Sequence, residues 1–192
     1  MQEFPRRYVM GEGYMTALQQ GFLIEYIRQH EDIKNILEIG FNGGHGSCAL
    51  LTARDDITVT SVDIYHHEYI DKAKNLIDEC FPGRHTLIKG DSTEVVPKLT
   101  QTFDLVFVDG YHVDPVPYKD IVNSHRILKD DGIIIVDDYC LAYGTSGVIQ
   151  GYNKAVDEKL YSHIDIFTFE DRGLAIARKN VSGTWKEWIT IA

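Results

Sequence analysis

The sequence predicts a doubly wound α/β fold: a mostly parallel sheet of seven strands with helices on both faces, closed by a C-terminal antiparallel hairpin. Three observations carry this prediction. Short apolar runs alternate with longer amphipathic stretches from residue 35 to residue 136, a cadence that requires right-handed crossovers. Nearly every predicted parallel strand terminates in a carboxylate. The last two runs, 164–169 and 174–178, are separated only by residues 170–173, which suits a hairpin and excludes a crossover helix.

Residues 16–30 carry Leu18, Phe22, Leu23, Tyr26 and Ile27 at helical spacing and read as an amphipathic helix packed on the core. The segment before it, with Gly11, Gly13, Tyr14 and Met15, is glycine-broken and reads as an irregular terminus or a lid. Residues 35–39 form the first buried strand, which breaks into Gly40, Gly43, Gly44 and Gly46 before a helix resumes. A strand at 57–64 follows, then a helix at 68–80 stopped by Phe81-Pro82-Gly83, then a short strand at 86–89 running into Gly90-Asp91-Ser92. A brief helix at 95–99, a buried strand at 103–109 and a helix at 118–128 lead to Asp131-Gly132, read as a turn, and to the most apolar strand, 133–136. A loop at 143–147 and a helix at 148–160 precede the hairpin. No linker, repeat or low-complexity segment divides the chain, so 1–192 reads as one domain, with 1–30 as N-terminal segment and helix and 180–192 as tail.

Composition narrows the partners. With 192 residues, 44% hydrophobic and 11% aromatic, the chain can bury one full α/β core. A formal charge of −10 repels a phosphate backbone and no Lys/Arg cluster offsets it, so nucleic-acid binding is not expected. No apolar run approaches the roughly 18–20 residues of a membrane helix, and residues 1–14 lack the apolar stretch of a signal peptide. A cytoplasmic protein with no membrane partner is expected. Cys48, Cys80 and Cys140 are odd in number and far apart, which suggests neither a disulfide framework nor a zinc site.

Ligands of an open parallel sheet bind beyond the carboxyl ends of its strands. Here those ends carry Glu38 with Gly40, Asp63, Asp91 with Ser92, Asp109, and Asp137 with Asp138. Any one acid suits a turn, but this many on a single edge point to a site. The glycine turn after the first strand is expected to leave backbone N–H groups and positive helix-dipole potential facing a nucleoside cofactor. Gly44-His45-Gly46-Ser47-Cys48-Ala49 formally matches G-x-G-x-x-A, with Asp63 at a suitable distance for a ribose contact. That fingerprint starts several residues past the strand, in the wrong register for a pyrophosphate turn.

The pattern E-x-G-x-x-G-G after the first strand, an acid after the second and G-D-S after the third resembles a class I S-adenosylmethionine-dependent methyltransferase, with its Rossmann-like sheet and closing hairpin. The resemblance spans residues 16–178. It implies that Glu38, Gly40, Asn42, Gly43 and Gly44 cradle the amino-acid part and ribose of S-adenosylmethionine. Asp63 would accept from the ribose hydroxyls, and Asp91 with Ser92 would bracket the adenine. A sulfonium cofactor carries no phosphate, so a carboxylate-lined pocket suits it.

The second half, F-D-L-V-F-V-D-G-Y-H and later D-D-G-I-I-I-V-D-D, is similar to the small metal-dependent O-methyltransferases of the catechol type. By that resemblance Asp109, Asp137 and Asp138 are ligands of Mg²⁺, with Asp109 also touching the cofactor. Asp138 stands where the catechol type has Asn and keeps a hard oxygen donor. Where that type has a general-base lysine, this chain has His112, and the Asp-Gly-x-His form is similar to the macrocin-type sugar O-methyltransferases. His112 and Asp109 are then the expected catalytic residues, acting on a small-molecule hydroxyl. His112 as a turn cap or adenine contact is the plainer alternative. Tyr111, Tyr139 and Tyr143 are candidates for the acceptor pocket. Other readings of the same fold are an aminopropyl transferase of the spermidine synthase type, a silent cofactor-binding protein and a nicotinamide-dependent oxidoreductase. Trp185 and Trp188 read either as a partner contact in a homodimer or as a tail folded back on the sheet.

Overall fold

The computed structural model describes residues 14–140, 145–169 and 172–181. Gly11 and Gly13, Tyr143, and Trp185 with Trp188 lie outside the described residues. The elements in order are α1 (Ala17–Gln29), β1 (Asn35–Ile39), α2 (His45–Ala53), β2 (Thr58–Asp63), α3 (Ile70–Cys80), β3 (His85–Lys89), α4 (Ser92–Val95), β4 (Phe103–Val108), α5 (Val116–Ile127), β5 (Leu128–Val136), α6 (Ser146–Asp157), β6 (Tyr161–Phe169) and β7 (Arg172–Lys179). A single 3₁₀ turn, Val96–Lys98, follows α4. The strand order is β3-β2-β1-β4-β5-β7-β6, parallel through β5 and antiparallel for β7 and β6. The doubly wound sheet and its hairpin are as the sequence predicts.

Period-two alternation divides the central strands between two cores. Ile36, Leu105 and Phe107 face α1, α2 and α3, while Leu37, Ile39, Val106 and Val108 face α5 and α6. Glu38 falls on the α1–α3 side by the same alternation, which is why a carboxylate ends up inside that core. The strand ends are level because the ladders run on past the strands. Gly40 N–H donates to the Val62 carbonyl at 2.9 Å, Asp109 N–H to Ile39 at 2.8 Å, and Asp137 N–H to Val108 at 2.9 Å.

The sheet departs from the sequence reading at Asp131-Gly132. It lies inside β5, where the pairing slips from Phe103↔Leu128 to Leu105↔Ile133 and Asp131 takes φ +61°. Asp tolerates that left-handed conformation, so the expected turn is absorbed as an irregularity of the strand. At the other end of the chain, Thr16 and Gln19 form a capping box at the start of α1.

Candidate functional site

The glycine turn between β1 and α2 is built around backbone that side chains would obstruct. Gly40 has φ +94°, and a Cβ there would lie 2.0 Å from the Asp109 carbonyl oxygen. Glycine alone lets the ends of β1 and β4 approach this closely. Asn42 also has positive φ, and Gly44, at φ +78°, is the N-cap of α2. This places the G-x-G-x-x-A match at the start of the helix, away from the strand end, as its register predicts. The turn's amides are only partly available to a ligand. Asp63 Oδ2 accepts from Phe41 N–H at 3.0 Å and Asn42 N–H at 2.8 Å, and its Oδ1 accepts from Tyr65 N–H at 2.7 Å.

Glu38 is fully buried and accepts at Oε2 from both the Ser47 and Ser61 hydroxyls, each at 2.5 Å. Burial pushes its carboxyl up to about 7 although those two hydroxyls pull it down. Asp91 caps α4, accepting at Oδ1 from Thr93 N–H and its hydroxyl, both at 2.8 Å. Ser92 opens that helix and faces Asp120, a buried acid that desolvation lifts to about 7.

The ends of β4 and β5 bring the remaining candidates together. One ligating atom each from Asp109, His112 and Asp138 lies within 4.8 Å of the others. His112 Nε2 is 3.0 Å from Asp138 Oδ2, and Arg172 Nη1 donates to Asp138 Oδ1 at 2.7 Å. Asp138 has φ +56°, and its carboxylate meets both the His112 imidazole and the Arg172 guanidinium. Asp137 is drawn aside: its Oδ1 accepts from the Gln19 amide at 2.7 Å and from Asp138 N–H at 2.8 Å. Asp109, Gly110, Tyr111, His112 and Asp137 line a shallow depression floored by Val108 and Val136. Tyr111 is exposed at its rim, whereas the Tyr139 hydroxyl donates to Asn153 at 2.9 Å.

The charges on this edge are unevenly balanced. Burial raises the Asp109 carboxyl well above the usual carboxylate range, and repulsion from Asp137, Asp138 and Glu38 adds to it. Burial and the neighbouring Asp138 push Asp137 up to about 7. Burial would lift Asp138 as well, but the hydrogen bonds from His112 and Arg172 outweigh it and hold that carboxyl low. The same hydrogen bond to Asp138 raises His112 above its ordinary value, against the effect of burial. Asp109 and Asp137 are therefore disfavoured as anions both by burial and by repulsion from the neighbouring carboxylates.

Three positions escaped the sequence reading. Gln19 joins the capping box to Asp137, Arg172 enters from the start of β7, and Gly147 brings α6 against the His112 backbone. A Cβ at Gly147 would lie 2.4 Å from the His112 carbonyl oxygen. The capping-box pattern Thr16-x-x-Gln19 was visible in the sequence; the partner of its glutamine was not.

Comparison with known proteins agrees with this fold. Residues 37–139 match the family described as methyltransferase domain. An O-methyltransferase of Aspergillus hancockii is 28% identical over 108 residues, which cover 55% of this chain and 42% of that protein. The chain thus spans less than half the length of this curated relative. Among solved structures, the O-methyltransferase TomG of Streptomyces achromogenes, in complex with SAM, superposes with a TM-score of 0.74 at 18% identity, covering 92% of this chain and 86% of that one. An O-methyltransferase of Bacillus cereus in complex with SAH gives 0.72 at 17% identity, covering 88% and 84%. The SAH-bound methyltransferase of Podospora anserina gives 0.73 at 19% identity, covering 88% and 80%. At these identities the structural likeness shows a shared fold. The family match covers more than half of the sequence and both halves of the carboxylate-lined edge: this chain belongs to the methyltransferase-domain family.

Proposed function

We propose that the protein transfers a methyl group from S-adenosylmethionine to a hydroxyl oxygen of a small molecule. The observation that carries this reading is the juxtaposition of His112 with Asp109 and Asp138 beside the glycine turn. When bound, the cofactor supplies a methyl on a sulfonium, already electrophilic, so the chain's task is to orient the reactants and manage charge. The glycine turn from Gly40 to Gly44, with Glu38, holds the amino-acid end, Asp63 and its loop the ribose, and Asp91 with Ser92 the adenine side. Asp109, between the two halves, touches the cofactor. His112 would take the proton from the acceptor hydroxyl, leaving its oxygen to accept the methyl group that the bound sulfonium would supply, with the sulfur released as a neutral thioether. A cytoplasmic setting fits the three free thiols. Among the described residues, no helix is long and apolar enough to cross a membrane.

The chemistry of the donor set suits Mg²⁺, since Asp109 and Asp138 offer hard oxygen atoms within 4.8 Å of each other, with Asp137 beside them but already bonded to Gln19. Asp109, Asp137 and Asp138 would hold the ion, whose chemistry there is to acidify a bound hydroxyl. A second reading is favoured by Arg172, whose guanidinium already sits on Asp138 and supplies positive charge without a metal. Methyl transfer measured over a panel of catechols, sugars and hydroxylated metabolites, with chelator and then with added Mg²⁺, separates the two. The metal reading predicts loss with chelator, recovery with Mg²⁺, and a fall for Asp137→Ala at least as large as the roughly 10- to 100-fold typical of outer-shell changes. Activity indifferent to both treatments leaves the Arg172 arrangement.

A further inference from the structure

Behind the glycine turn Glu38 is enclosed by a buried polar cluster whose other members, Ser47, Ser61 and His85, have no part in the reaction described above. Glu38 on β1 and Ser61 on β2 are paired neighbours in the parallel ladder, and Ser47 on α2 closes over them. His85, at the start of the edge strand β3, reaches across β2 to the same point. Its Nε2 lies 2.8 Å from the Ser61 hydroxyl and 3.1 Å from that of Ser47. When Glu38 is ionised, each serine gives its one hydroxyl proton to Oε2, and both hydroxyl oxygens accept from the imidazole. Nε2 therefore carries the ring proton. Nδ1 is left bare and buried without a partner. Burial, with Lys74 nearby, lowers the imidazole to about 4 and keeps it neutral.

Two further contacts connect this cluster to the cofactor turn. The His85 ring stacks on Phe41, within the turn itself, at 5.0 Å between centroids and 28° between planes. The Glu38 carboxylate also meets the first turn of α2, where a Cβ on Gly46 would lie 2.3 Å from Oε1 and the Ser47 backbone helps hold the charge.

We propose that His85 is a positioning residue for cofactor binding: through Ser61 and Ser47 it fixes the direction of the Glu38 carboxylate, and through its ring it fixes Phe41 of the glycine turn. The carboxylate is thereby held in one orientation beneath the turn that carries the proposed amino-acid end of the cofactor. This inference rests on the proposed S-adenosylmethionine reading.

The test uses the full chain and two substitutions that separate donor from ring. His85→Phe keeps the stack and removes the hydrogen bond; His85→Gln restores a side-chain N–H and removes the ring. S-adenosylhomocysteine affinity is measured by calorimetry, KM and kcat for S-adenosylmethionine by turnover, and Tm by thermal unfolding. His85→Phe is expected to weaken the product complex and raise KM by roughly two- to tenfold, the scale of one neutral hydrogen bond, with a smaller change in kcat. His85→Gln should recover most of that loss. Ser61→Ala, which interrupts the same path without touching the ring, should shift KM in the same direction and serves if His85→Phe does not fold. Equal losses of Tm in both His85 variants with wild-type affinity would make the cluster purely structural and overturn the proposal. Failure of the unmodified chain to bind the product would instead remove the cofactor reading.

Discussion

Replacing Gly40 by alanine is expected to destabilise the fold and abolish cofactor binding together. At φ +94° an L side chain is strained, by about 1–2 kcal/mol on the scale of left-handed backbone. The added Cβ would meet the Asp109 carbonyl at 2.0 Å, and overpacking against such a neighbour typically costs about 1–3 kcal/mol more. The neighbour here is backbone, held by the bond from Asp109 N–H to Ile39, and cannot swing aside. Relief would have to come from separating the ends of β1 and β4, which are the two halves of the proposed site. A drop in Tm of several degrees with loss of product binding is the expected outcome. Wild-type Tm and affinity would mean that the close approach at Gly40 is not what joins those halves.

His112→Gln should leave the fold intact and lower turnover by about 10²- to 10⁴-fold, the usual range for a lost general base. The pH profile gives the sharper result. His112 acts as a base only when neutral, and the hydrogen bond to Asp138 favours its protonated form and raises its pKa. Activity is then expected to be full above that raised value and to fall as pH drops through it, on a limb above the ordinary 6.5. Asp138→Asn removes the charge that lifts the imidazole, so the limb should move toward acid. A limb unmoved by Asp138→Asn, or turnover within twofold of wild type (roughly) in His112→Gln, would show that His112 is not the base.

Those two residues also show what the chain discloses on its own. The parallel strands were legible because being buried on both faces demands uninterrupted apolar runs, and each candidate acid stands where its own strand stops. Asp109, Asp137 and Asp138 are therefore local features of two strand ends. Their partners are not. Gln19 reaches Asp137 across 118 residues and Arg172 reaches Asp138 across 34, through packing that no spacing rule encodes. Asp131-Gly132 misled for the opposite reason: its local signal is a turn, and the register slip between β4 and β5 absorbs it. Glu38 was recognisable as a strand-end acid, but its enclosure by Ser47, Ser61 and His85 depends on which strands become neighbours.

The account stands or falls on whether the carboxylate-lined edge beside Gly40 binds the methyl donor. Calorimetric titration of the full chain with S-adenosylmethionine, and separately with S-adenosylhomocysteine, tests this most directly. The account predicts saturable one-to-one binding of both, weakened by Asp63→Ala because Phe41 and Asn42 would lose the acceptor that shapes their loop. Absence of heat and of binding with either compound would contradict it.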